Sequence, residues 1–428
     1  MNYILYFLLI LSTIVQSLTL GDKFGYIAYS LTSLITPIIF IIFLIVNRKI
    51  SISIYTKKLL KLMIYLIFVS LISLFIYVVI LNNNNIYWGQ NLLVKGLKAS
   101  MYFLDIILFL IIIENIQKKL STTKIFKPFV FTYFILFFIL LFEIFDPALF
   151  NSIFHGGEDY NRIRLLTTEA SGTGSLIMVF SLVTLYYYKI IKKNNFMILI
   201  SMVILAIFII VNRSKGLYVC LIISFLYIIL KNFRIKNVKS IIKLVLLITL
   251  FFSVYGLCNI YIFPIFQQDL QKYTSISTRV YTTFCALKIS VMYPFGIGTS
   301  LYPIVYVKEL ANNLYIFNNI NMNLNLNEIM SLIDSTTGEN VAAKVSIAQY
   351  SMYWGILGTI YFLYNYWFKI YRRAKENSDI LLFGFVFIFI AICTYTTFEN
   401  KYEIWAFISL LYCKCRNLEN VDRISDKD

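Results

Sequence analysis

The chain has 428 residues, of which 60% are hydrophobic and 14% charged. A soluble globular chain is about half apolar and a quarter charged, so this composition excludes an ordinary soluble domain and indicates an integral membrane protein. The formal net charge of +17 invites a nucleic-acid reading, but lysines confined to short loops between apolar runs follow from membrane insertion alone, and nucleic acid is not expected as a partner.

A membrane-crossing helix needs about 20 apolar residues. In chain order the candidate spans are residues 3–20, 26–46, 62–81, 99–116, 129–145, 172–188, 196–211, 217–230, 244–262, 347–367, 380–397 and 402–413. The first lacks a basic leader region and a small-residue cleavage site, so it reads as a retained helix. The eighth and twelfth are short, leaving the count of about twelve open by one or two. Loop charges test this division. Lys49, Lys57 and Lys58 follow the second span, Lys118 and Lys119 the fourth, and Lys189 and Lys192 the sixth. Lys231 and Arg234 follow the eighth, Lys369 and Arg372 the tenth, and Lys414 and Arg416 the twelfth. Every even-numbered exit is basic, so both termini are expected in the cytoplasm.

The whole chain, 1–428, reads as a single membrane domain with one long extracytoplasmic loop, residues 263–346. That loop opens with an amphipathic helical pattern. Phe266, Leu270, Tyr273, Val280, Phe284, Leu287 and Val291 form its apolar stripe, and Lys272 and Arg279 lie on its polar one. Pro294 ends the pattern, and FGIG supplies a tight turn. The Asn-rich piece NNLYIFNNINMNLNLNE reads as a solvated surface loop without chemistry.

The informative cations stand on the outer side. Arg162 and Arg164 precede the sixth span, Arg213 and Lys215 the eighth, and Lys344 the tenth, while Arg279 lies in the amphipathic helix. Helix N-termini carry orphan N–H groups and about half a positive charge, and guanidinium forks match phosphate oxygens, so these residues together suit an anion. Each has a plainer account. Lys215 and Lys344 would snorkel into headgroups, Arg279 would hold anionic lipid, and the small residues of ASGTGS would pack helices.

Acids are scarce on this side. Glu169 is a candidate base or arginine orienter, although the helix dipole alone would favour it there. Asp105 lies inside the fourth span, where an acid is a functional candidate or half of a buried pair with Lys or Arg. His155, the one histidine, suits a surface loop, and the six cysteines show no C-x-x-C spacing, so neither a metal centre nor a disulfide framework is expected.

Four segments resemble a family. TRVYTTFCALKISVMYPFGIGTSLY resembles the Arg…Ala-Leu…Pro-x-Gly-Ile-Gly segment of Wzy-type bacterial O-antigen and capsule polymerases. NRIRLLTTEASGTG resembles their Arg-rich loop, with Ala170 where members often carry proline; NRSKG and AAKVSIAQYSMYWGILG resemble two further joints. The resemblance spans residues 161–358 and implies an all-α polytopic membrane fold like that of C-type glycosyltransferases. It implies a metal-independent glycosyltransferase, without cofactor, that polymerises undecaprenyl-diphosphate-linked oligosaccharides at the outer side of a bacterial cytoplasmic membrane. A chain-length regulator and the bilayer would be its partners. On that basis Arg162, Arg164, Arg213, Arg279 and Lys344 would bind diphosphate, and Glu169 or Asp105 would serve as base. The related ligases use a histidine in the long outer loop, which this chain lacks. The other reading is a lipid-linked oligosaccharide flippase, against which stand the absence of repeated halves and the long amphipathic outer segment.

Overall fold

The structure is a computed structural model that describes residues 1–16, 30–47, 49–155, 163–167, 170–232, 274–319, 326–334 and 341–412. The helices are α1 (Asn2–Ser12), α2 (Leu31–Val46), α3 (Ile54–Phe75), α4 (Leu92–Gln117), α5 (Thr122–Phe145), α6 (Pro147–Phe154), α7 (Ala170–Tyr186), α8 (Asn195–Asn212) and α9 (Lys215–Asn232). They continue with α10 (Thr274–Met292), α11 (Gly298–Asn319), α12 (Asn327–Ile333), α13 (Ser346–Phe362), α14 (Phe368–Asn377), α15 (Asp379–Thr394) and α16 (Tyr402–Tyr412). A two-stranded antiparallel hairpin, β1 (Ile86–Tyr87) and β2 (Gln90–Asn91), turns at Trp88 and Gly89, both with positive φ.

Five stretches are long and apolar enough to cross a membrane: Ile54–Ile80, Leu92–Gln117, Thr122–Phe145, Ala170–Lys192 and Asn195–Asn212. Four shorter apolar helices, α1, α2, α15 and α16, accompany them. By helix length and composition this is an all-α membrane protein. The candidate span 244–262 and the start of the amphipathic pattern, Phe266 to Tyr273, lie outside the described residues. The periodicity did not mark α6. Asp146 caps it, accepting from Leu149 N at 3.0 Å with Pro147 in the first turn, which is favourable start chemistry in a stretch too short to show a period.

Two compact units make up the chain: Met1–Phe68 with Leu97–Ser224 and Leu357–Asp428, and Val69–Gly96 with Phe225–Ile356. In the first, α7 is central and packs on α5, α8 and α15. Its small residues permit this: a Cβ on Gly174 would already lie 3.4 Å from Leu217.

Hydrogen bonds sort the joints of the first unit into two ends. At one end Asn2 bonds Asn47, Lys119 Nζ donates to Asn47 at 2.6 Å, and Ser51 meets Asn115 and Lys118. At the other, Gln16 and residues 164–175 meet residues 401–403. The segments following α2 and α4, both basic, therefore share one end. α16 runs parallel to α4, with Tyr402 bonded to Asp105, Ser409 accepting from Gln117 and Tyr412 bonded to Glu114.

In the second unit α10, α11 and α12 pack together. The FGIG turn meets a kink in α13 at Gly355 (φ 68, ψ 178). A Cβ on Gly355 would lie 2.2 Å from Pro294 O, and one on Gly296 (φ +88) 2.2 Å from Tyr353 O, so the two glycine-bearing segments close on each other backbone to backbone. The Asn-rich piece departs from its reading as a plain solvated loop. α11 runs on to Asn319, and Asn313 is buried, donating to Glu309 O at 2.6 Å and accepting from Lys288 Nζ at 2.8 Å. Composition marks such a run as loop, but its residues 312–319 fall on a helix whose buried face needs polar partners.

Candidate functional site

In the second unit several charged residues from distant parts of the sequence meet. Thr278 and Arg279 lie in the first turns of α10, Glu328 in the first turn of α12, and Lys344 two residues ahead of α13. Thr278 Oγ1 donates to Glu328 Oε2 at 2.8 Å, and Lys344 Nζ pairs with Glu328 Oε1 at 3.1 Å. Partial burial pushes the Glu328 carboxyl up, but the Thr278 bond and the charges of Lys344 and Arg279 outweigh it and hold the group below the ordinary glutamate value. Two predicted cations, 65 positions apart in sequence (344 − 279), thus act on one carboxylate, leaving a net positive charge. Glu328 is the residue the sequence reading missed, since it closes the Asn-rich piece.

In the first unit the loop at the mouth of α7 is fixed from several sides. Glu143 accepts from the backbone N–H groups of Arg164 (2.8 Å) and Leu165 (2.9 Å), with Leu165 in the left-handed region at φ 49. Thr173 Oγ1 donates to Arg164 O at 2.9 Å, and the His155 ring meets Leu165 O at 2.9 Å, so the sole histidine serves this loop. Arg164 is buried, with Nη2 3.4 Å from Asn151 Oδ1.

Below this loop lies a second cluster that the sequence reading also missed. Lys401 Nζ donates to Gly172 O at 3.2 Å and to Gln16, while Glu403 accepts from Ser175 Oγ at 2.9 Å and from Gln16 Nε2 at 2.7 Å. Lys401 is 8% exposed and Glu403 0%. A signal was present: Lys401 stands directly ahead of an even-numbered span, the same position that marked Arg164, Lys215 and Lys344.

Arg213 is exposed at the end of α8 and holds φ at 51, a left-handed conformation uncommon for a residue other than glycine and concentrated at functional sites. Asp105 is bonded by the Tyr402 hydroxyl, not by a lysine or arginine, and its Oδ1 is buried without a hydrogen-bond partner among the described residues. Arg279 and Lys344 belong to the second unit; Arg164, Arg213 and Asp105 belong to the first. Arg162 and Glu169 lie outside the described residues. Comparison of the chain with protein-family models, with curated proteins and with solved structures found no match.

Proposed function

We propose that the chain is a metal-independent polysaccharide polymerase of the bacterial cytoplasmic membrane, with about twelve spans, both termini in the cytoplasm and its site on the outer side. It transfers a growing glycan from undecaprenyl diphosphate onto a new lipid-linked repeat unit, making capsule or O-antigen. In the reaction the bond between the donor sugar's anomeric carbon and a diphosphate oxygen breaks. A bond from that carbon to the acceptor hydroxyl oxygen forms, the hydroxyl proton passes to a carboxylate, and the lipid diphosphate leaves with the negative charge.

One observation carries this reading: Lys344 pairs with the Glu328 carboxylate beside Thr278, and the charge of Arg279 acts on the same carboxylate. Concentrated positive charge is what a departing diphosphate needs, since only interactions that grow with its charge lower the barrier. The resemblance makes Arg162, Arg164 and Arg213 further candidates for diphosphate binding, and Asp105 or Glu169 the candidate base.

The test is purified protein in nanodiscs supplied with lipid-linked repeat units. A ladder of lengthening glycans is expected; translocation without chain growth would identify a flippase instead. In cells, Arg279→Ala and Arg213→Ala abolish long-chain glycan while single repeat units still reach the surface. Surface glycan of normal length in both variants would sink the assignment of these arginines.

A further inference from the structure

We propose that Glu328 is a built-in counterion that holds the place of an oxyanion, so that a diphosphate group binds by displacing its carboxylate from Lys344, Thr278 and Arg279. The inference rests on the diphosphate reading of this cluster and adds to it a competitor supplied by the protein itself.

The arrangement is that of an occupied anion site. One carboxylate oxygen takes the Thr278 hydroxyl at 2.8 Å, and the other takes the Lys344 ammonium at 3.1 Å. Arg279, the residue after Thr278, acts on the same group. The pair is partly open to solvent, with side-chain exposures of 40% for Lys344 and 31% for Glu328, and a pair this exposed is weakly held. A diphosphate has more acceptor oxygens and more charge than one carboxylate, so it satisfies the same donors with stronger bonds. The exchange leaves no donor unsatisfied, and the released carboxylate returns to water. Glu328 is poorly suited to be the base instead, because a carboxyl held below its ordinary value is a weak proton acceptor.

The test titrates the full-length protein in detergent with inorganic diphosphate and, separately, with a polyprenyl diphosphate. Wild type, Glu328→Gln and Lys344→Gln are compared. Glutamine keeps the size and removes the charge, so E328Q is expected to bind at least about fivefold more tightly, and K344Q more weakly by a similar factor. Tightening with both ligands means the headgroup suffices. Tightening with the polyprenyl ligand alone means the same displacement needs the lipid for entry. Wild-type binding that depends on Lys344, with E328Q no tighter, overturns the counterion role alone. If no variant binds either ligand, the diphosphate reading falls with it. In chain-growth assays E328Q should lower KM; a collapse of kcat at constant KM would make Glu328 the base and overturn the proposal.

Discussion

At the scale of single residues, Lys401 and Glu403 are both buried, and both are held by Gln16. Lys401→Met should lower stability by about 1–3 kcal/mol, because it takes a buried donor from Gln16 and Gly172 O, and Glu403→Leu by a similar amount, because it takes the acceptor from Ser175 and Gln16. Thermal unfolding of the purified variants reads both effects. Glu328 gives a pH dependence of definite sign. Its carboxyl is held below the usual value, so its stabilising effect is complete above about pH 4.3 and is lost as pH falls through its lower folded value. The Tm advantage of wild type over E328Q should therefore be constant near neutrality and vanish in acid. These residues also mark the limits of reading a sequence. Lys401 obeyed a visible rule, but its partner Gln16 lies 385 positions away and leaves no local trace. Glu328 was hidden because composition speaks for a stretch and not for the one residue in it that folding brings to a lysine.

At the scale of elements, apolar runs marked the five helices long and apolar enough to cross a membrane, since a spanning segment must bond its own backbone and cover it with apolar side chains. Boundaries were less legible. α4 begins at Leu92, seven positions before the apolar run starting at 99 (99 − 92), because lysines are tolerated in a first turn that reaches water. The turn FGIG was readable as a turn, but not its seat on the α13 kink, which joins segments about sixty positions apart (355 − 296). Gly355→Ala should be costly. It forces a side chain into a conformation few residues other than glycine adopt, worth about 1–3 kcal/mol, and adds a clash with Pro294 O. A Tm drop for G355A well beyond that of Gly89→Ala, whose Cβ meets nothing within 4 Å, is the expected comparison.

At the scale of the whole molecule, the alternating basic loops predict a sidedness that can be measured. Lys118 and Asp146 are both exposed and lie at the two ends of α5, a candidate span. In a cysteine-free background, Lys118→Cys should react with an impermeant thiol reagent only after the cells are opened, and Asp146→Cys should react in intact cells lacking an outer barrier. Labelling of both from the same side would overturn the topology.

The parallel seam between α4 and α16 bears on how the protein is made. Asp105, Glu114 and Gln117 enter the membrane early in synthesis, yet Tyr402, Tyr412 and Ser409, which bond them, emerge from the ribosome roughly three hundred residues later. Gln16 waits longer still for Lys401 and Glu403. For most of translation these polar groups must be tolerated in lipid, shielded by the insertion machinery or by provisional neighbours. A stop codon before Lys401 should therefore yield a chain that inserts but is removed by quality control, a fate that pulse-chase of the truncated protein would reveal.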